Sequence, residues 1–181
     1  MAKVAVFFAT GYEEIEALTV VDVLRRANIE TDMISVSGDG SVCGAHGIEV
    51  KMDKCLSGTE AAEYDVCVLP GGMPGTTNLE KSDVLMKVID SFYAQDKLVA
   101  AICAAPSILG HRDMLKGKTA CCYPGFEDEL EGAEVTDEAV TRDGNVITSR
   151  AMGCALDFAL ELLAALTDAR NADQMADKLL Y

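Results

Sequence analysis

The chain is short of positive charge, histidine and proline, and it has no long apolar run; each shortage closes off a class of function. Fifteen Lys and Arg against thirty Asp and Glu leave a formal net charge of −15. Every phosphate contact needs a cation that such a surface mostly lacks, so nucleic acid is disfavoured as an electrostatic partner. Only two histidines occur, His46 and His111. A Cys-His hydrolase needs an imidazole at its thiol, but one histidine falls in a turn-rich loop and the other past a short helix, and both read as solvated surface residues. The run VAVFFA after Met1-Ala2-Lys3 is too short for a signal-peptide core or a bilayer span, which predicts a cytoplasmic protein with no membrane partner. Seven cysteines without a C-x-x-C pair read as reduced thiols rather than as a disulfide framework or structural zinc. Four prolines and 50% hydrophobic residues in 181 fit one domain, 1–181, with a substantial core.

What is present alternates between two periods. Apolar runs Lys3-VAVFF, Thr31-DMISV, Asp65-VCVL, Leu98-VAAI and Thr119-ACC read as strands, several buried on both faces. Between them, Glu14 to Asn28 carries a helical stripe of Ile15, Leu18, Val21, Val23 and Leu24, and Ser82 to Ala94 reads as a second helix. Ser37-GDGSVCGAHG leads through an irregular hairpin into Ile48-EVKM, and Asp143-Gly-Asn joins Ala139-VT to Val146-ITS as a hairpin. Gly153 to Leu166 and Ala172 to Leu180 complete the helices. Such alternation predicts an α/β fold with a mostly parallel central sheet covered by helices on both faces. Ligands in such folds bind outside the carboxyl ends of the strands.

Three loops reach that rim. In Lys97-LVAAI-Cys103-AAP-Ser107 a buried strand runs into one cysteine, and small residues then open a helix, the arrangement of a nucleophile elbow. A helix N-terminus lowers a thiol's pKa, which predicts a reactive thiolate at Cys103. Ala9-TGYEEIE places Glu13, Glu14 and Glu16 near a helix start, where acidic residues complement the helix dipole. A carboxyl beside a thiolate also meets like charge, stays protonated and can donate a hydrogen bond to the sulfur. Pro70-GGMPG lacks the Lys-Ser/Thr end of a phosphate loop, and no cofactor or metal motif stands out. Its glycine amides, together with that of Ala104, can form an oxyanion hole.

Gly11-YEEIEA, Val21-DVLRRA, Tyr64-DVCVLPGGMPG, Ala100-AICAAP and Thr148-SR, in this order, closely resemble the ThiJ/PfpI superfamily, in its branch of the parkinsonism-associated deglycase. The resemblance runs over nearly the whole chain. It implies a flavodoxin-like three-layer sandwich of the class I glutamine amidotransferase type, a homodimer, and a reactive cysteine matched by Cys103. It further implies Glu16 as the protonated acid, Gly72 and Ala104 as oxyanion donors, and Arg25, Arg26 and Ser149-Arg150 in regions lining the dimer interface near the site. Met73 and Met152 are candidates for an apolar wall. PfpI proteases carry a histidine directly after the cysteine, where this chain has Ala104; animal members of the deglycase branch carry one where this chain has Tyr123. A tyrosine hydroxyl, with an ordinary pKa of about 10, donates a hydrogen bond but is a poor base near neutrality.

Family activities implied by the resemblance are glutathione-independent conversion of methylglyoxal or glyoxal to hydroxy acids, removal of early glycation adducts, chaperone action and oxidative-stress sensing. The expectation is a cofactor-free enzyme in which the Cys103 thiolate attacks a small aldehyde or dicarbonyl. The alternatives are a sensor or redox-regulated chaperone that uses the same cysteine without turnover and, further off, a protease.

Overall fold

The computed structural model describes residues 2–181. Among these, a seven-stranded sheet has the order β10-β11-β7-β6-β1-β2-β5. Its strands are β1 (Lys3–Phe8), β2 (Glu30–Ser35), β5 (Lys54–Cys55), β6 (Val66–Leu69), β7 (Leu98–Ile102), β10 (Val140–Asp143) and β11 (Val146–Ser149). All neighbours pair in parallel except β10 and β11, which form the hairpin around Asp143-Gly144-Asn145. Two small sheets flank it: β3 (Ser41–Cys43) with β4 (Glu49–Lys51), antiparallel, and β8 (Thr119–Ala120) with β9 (Glu134–Val135), parallel.

Side chains on β1 alternate between two cores, as the two-residue period of a strand requires. Ala5 and Phe7 enter one, with Leu79, Leu85, Ile89, Phe92 and Leu109; Val4, Val6 and Phe8 enter the other, with Val20, Leu24, Phe158 and Leu162. The first core lies under α2 (Gly75–Glu80), α3 (Asp83–Ala94) and α4 (Pro106–Gly110), the second under α1 (Glu14–Arg26) and α5 (Ala155–Leu166). Helix α6 (Ala169–Leu179) packs on α5. The result is the expected three-layer sandwich. Among the described residues no helix is long and apolar enough to cross a membrane.

Three local readings change. Thr119-ACC is a strand only over Thr119–Ala120, because the Cys121 N–H leaves the ladder to donate to Thr148 Oγ1 at 2.9 Å. The last helix starts at Ala169 rather than Ala172, since the Asp168 side chain caps it by accepting from Asn171 N at 2.8 Å. Helix α2, within the loop after β6, has no apolar stripe long enough to announce it.

Candidate active site

Strands β7, β6 and β1 are adjacent in the sheet, so the loops at their carboxyl ends emerge side by side. They carry Cys103, Gly71-Gly72 and Glu13 to Glu16 respectively. The strand order reverses between β1 and β6, because β2 lies on the far side of β1 while the later strands continue past β6. This is where open α/β sheets hold ligands.

Cys103 sits directly after β7 with φ of 67°, a left-handed conformation that costs a non-glycine residue about 1–3 kcal/mol. Surrounding hydrogen bonds hold it there. Its N–H donates to Ser149 O at 2.9 Å, and its carbonyl accepts from Tyr123 N at 2.8 Å. Ala104 and Ala105, 2% and 0% exposed, leave room for the chain to turn at once into α4. The sulfur's residue is buried but not sealed, at 9% exposure.

Glu16 lies in the first turn of α1 and is fully buried. Its Oε2 accepts the Gly71 N–H at 2.9 Å. Oε1 has no hydrogen bond of ordinary geometry to any described residue, while the Cys103 and Glu16 side chains act directly on each other. Burial pushes the Glu16 carboxyl up to about 7, against the Cys103 thiol and the Gly71 and Met152 amides, which pull it down. Burial, followed by the charge of an ionised Glu16, pushes the Cys103 thiol up to about 12, and the Gly72 and Ala104 amides oppose this. The expectation of a thiol lowered by a helix end is thus corrected: α4 has only five residues, and its end does not outweigh desolvation and a like charge. With both groups pushed up, the pair retains one proton between two sites. A proton on Oε1 removes the like charge and supplies a donor toward the sulfur.

The glycines of the second loop make this approach possible. A methyl group on Gly71 would lie 2.5 Å from Cys103 Cβ and 2.7 Å from Glu16 Oε2. Gly72 has φ of 88°, and a side chain there would strike the Glu13 amide. Gly71 was not singled out from the sequence; a glycine pair in a rim loop is the signal that carried it.

Tyr123, Met73 and Met152 are 43%, 54% and 43% exposed, and the backbone ties each to the site: Tyr123 N to Cys103 O, Met73 next to Gly72, and the Met152 amide to Glu16. Arg25 and Arg26 are not part of it. They end α1, nine and ten residues beyond Glu16 and so roughly 14 Å along the axis. Arg25 binds Thr31 O and Asp53, and Arg26 binds Asp22. Arg25 instead lines a separate surface depression of about 460 Å³ with Asn28, Ile29, Glu30, Thr31 and Asp53. Both histidines bond carboxylates rather than the thiol: His111 bridges Glu80 and Glu129 at 2.6 and 2.8 Å, and His46 Nδ1 pairs with Glu14 at 2.8 Å.

The family model described as DJ-1/PfpI family matches residues 2–165. The chain belongs to this family. It is 34% identical over 183 residues to Protein dj-1beta of Drosophila melanogaster, covering 99% of this chain and 98% of that protein. Among solved structures, Toxoplasma gondii DJ-1, oxidized, superposes with a TM-score of 0.96 at 37% identity, covering 100% of this chain and 99% of the other. The C103A mutant of the DJ-1 superfamily protein STM1931 from Salmonella typhimurium superposes with a TM-score of 0.95 at 33% identity, covering 100% and 99%. The family's fold is flavodoxin-like, and the sheet order and helical layers described above are an instance of it.

Proposed function

We propose that the protein is a cysteine-dependent enzyme acting on small reactive dicarbonyls or their early glycation adducts, with methylglyoxal to lactate as its model reaction. The observation that carries this reading is the contact of a strained elbow cysteine with a fully buried glutamate, with the Gly72 and Ala104 amides turned to the same sulfur. The Cys103 sulfur adds to the aldehyde carbon, forming a C–S bond. The carbonyl oxygen becomes an alkoxide, held by the two amides and protonated by Glu16. Glu16 as carboxylate then takes the hydrogen from that carbon and returns it to the neighbouring one, so the former aldehyde carbon is oxidised to a thioester and the ketone is reduced to an alcohol. Water cleaves the thioester, releasing lactate and the thiol. Atoms and electrons balance without an external oxidant. The exposed Met73, Tyr123 and Met152 suit a mouth that admits a small molecule with an apolar end.

Lactate formation from methylglyoxal tests the reading. Cys103→Ala abolishes it, and Glu16→Gln lowers it roughly 10²–10⁴-fold, the usual contribution of a positioned proton donor. Unchanged turnover by Cys103→Ala rejects the site.

A second reading, a sensor that oxidises Cys103 without turnover, is favoured by the same donors, which suit a sulfinate's oxygens as well as an alkoxide. Mild peroxide with peptide mapping and an activity assay on one sample separates the two. Oxidation spread over Cys43, Cys55 and Cys154, the half-buried thiols, removes the sensor reading. The resemblance further implies a homodimer in the cytoplasm, which we adopt as part of the proposal.

A further inference from the structure

Beside the sulfur site, Glu13 and Glu14 at the start of α1 meet His46 from the turn between β3 and β4. His46 Nδ1 is 2.8 Å from Glu14 Oε2 and 3.7 Å from Glu13 Oε2, and the three candidate ligand atoms all lie within 4.8 Å of one another. The two carboxylate side chains are only 8% and 6% exposed, whereas the imidazole is 65% exposed. Glu14 is held in place. Its Oε1 accepts the His46 backbone N–H at 2.8 Å, and its carboxyl packs where any side chain on Gly44 would stand.

Glu13 is the anomaly. Its side chain is 8% exposed and accepts no hydrogen bond from a described residue, and its Oε2 faces His46 Nδ1 at 3.7 Å. A carboxylate on a largely buried side chain gains from a cation beside it. An imidazolium bonded to Glu14 balances one of the two negative charges and leaves Glu13 without a hydrogen-bond donor from the protein. A divalent cation bound to neutral imidazole balances both.

We propose that Glu13, Glu14 and His46 form a site for a borderline divalent cation of the zinc type. Two carboxylate oxygens and one imidazole nitrogen are a donor set that such ions favour. Bonds of about 2.0–2.2 Å to O and N in a tetrahedron place ligand atoms roughly 3.3 Å apart, so the present separations need only small shifts. The exposed side of His46 leaves the remaining position open to water or a ligand. The ion joins the β3–β4 turn to the start of α1, at the edge of the Cys103 cleft, and thiolates take no part.

The test uses the full chain, stripped of metal, carrying Cys103→Ala and Cys43→Ala so that the nearest thiols do not compete. Zinc(II) is titrated calorimetrically and cobalt(II) optically. The expected result is one equivalent bound, cobalt d–d bands with no thiolate-to-cobalt charge transfer, and binding weakened about a hundredfold by Glu13→Gln or His46→Asn; changes to mere outer-shell partners already cost 10–100-fold. The His46 imidazole is 65% exposed, so His46→Asn keeps the fold, checked by circular dichroism, and decides the matter even if Glu13→Gln is destabilised. No binding, binding indifferent to His46→Asn, or a thiolate charge-transfer band overturns the proposal.

Discussion

Gly71 has no room for a side chain in the cleft, because a methyl group there would meet both the nucleophile's Cβ and the acid's oxygen. Gly71→Ala therefore forces Cys103 and Glu16 apart, and displacements of about 1 Å at reacting groups cost roughly 10²-fold. The prediction is a loss of lactate formation of that order or more, with circular dichroism unchanged, read side by side with Cys103→Ala. At this scale much was legible beforehand. The elbow itself marks Cys103 and Ala104, while Glu16 among the three glutamates and Gly72 among the loop's glycines were singled out by the family resemblance. Two things were not legible. The sign of the Cys103 shift depends on burial, which periodicity does not report, and the Glu13 and Glu14 pairing with His46 depends on how a turn thirty-odd residues away folds back over α1.

Among the elements, α1 shows how far Arg25 and Arg26 stand from the acid. A rise of about 1.5 Å per residue separates Glu16 from both at the other end, and only the first turn reaches the cleft. Short elements escaped notice because β5 and β9 have two residues each, too few to show a period. The longer ones were set by their caps. Asp168→Ala removes the side-chain acceptor for Asn171 N and is expected to cost about 1 kcal/mol in chemical denaturation. A second expectation concerns His111, which follows α4 and clasps Glu80 at the end of α2 and Glu129 in the loop before β9. The hydrogen bond to Glu80 leads in raising its pKa. A folded-state pKa above the ordinary value of 6.5 gives stability fully present below pH 6.5 and lost as pH rises through the folded value. The melting temperature should therefore fall across that window in the parent and fall less in His111→Gln; equal slopes in the two proteins would refute the clasp.

For the whole molecule, the order of the strands decides more than any single contact. Placing β1 between β2 and β6 brings three loops from distant parts of the chain to one rim, and it gives the sheet two apolar faces to cover. The alternation of runs foretold the layers and the parallel sheet, whereas the order needed the structure or the family. Phe158, fully buried under the sheet in α5, reports on that packing, and Phe158→Ala should cost about 3–5 kcal/mol of unfolding free energy. The charge of −15 spreads like charge over the surface, so added salt should raise the melting temperature by screening it. Light scattering should give twice 19.2 kDa if the chain pairs as its family resemblance implies. The central claim is that the recessed Cys103, rather than one of the more accessible thiols, forms the covalent bond to substrate. It is tested most directly by quenching the protein with methylglyoxal during turnover and mapping the bound three-carbon fragment by mass spectrometry. Cleavage after Lys97 and Arg112 gives a peptide with Cys103 as its one cysteine. The account predicts the fragment on that peptide and its absence from those of Cys43, Cys55 and Cys154. Lactate production with no adduct at Cys103, or adducts spread evenly over the half-buried thiols, would contradict it.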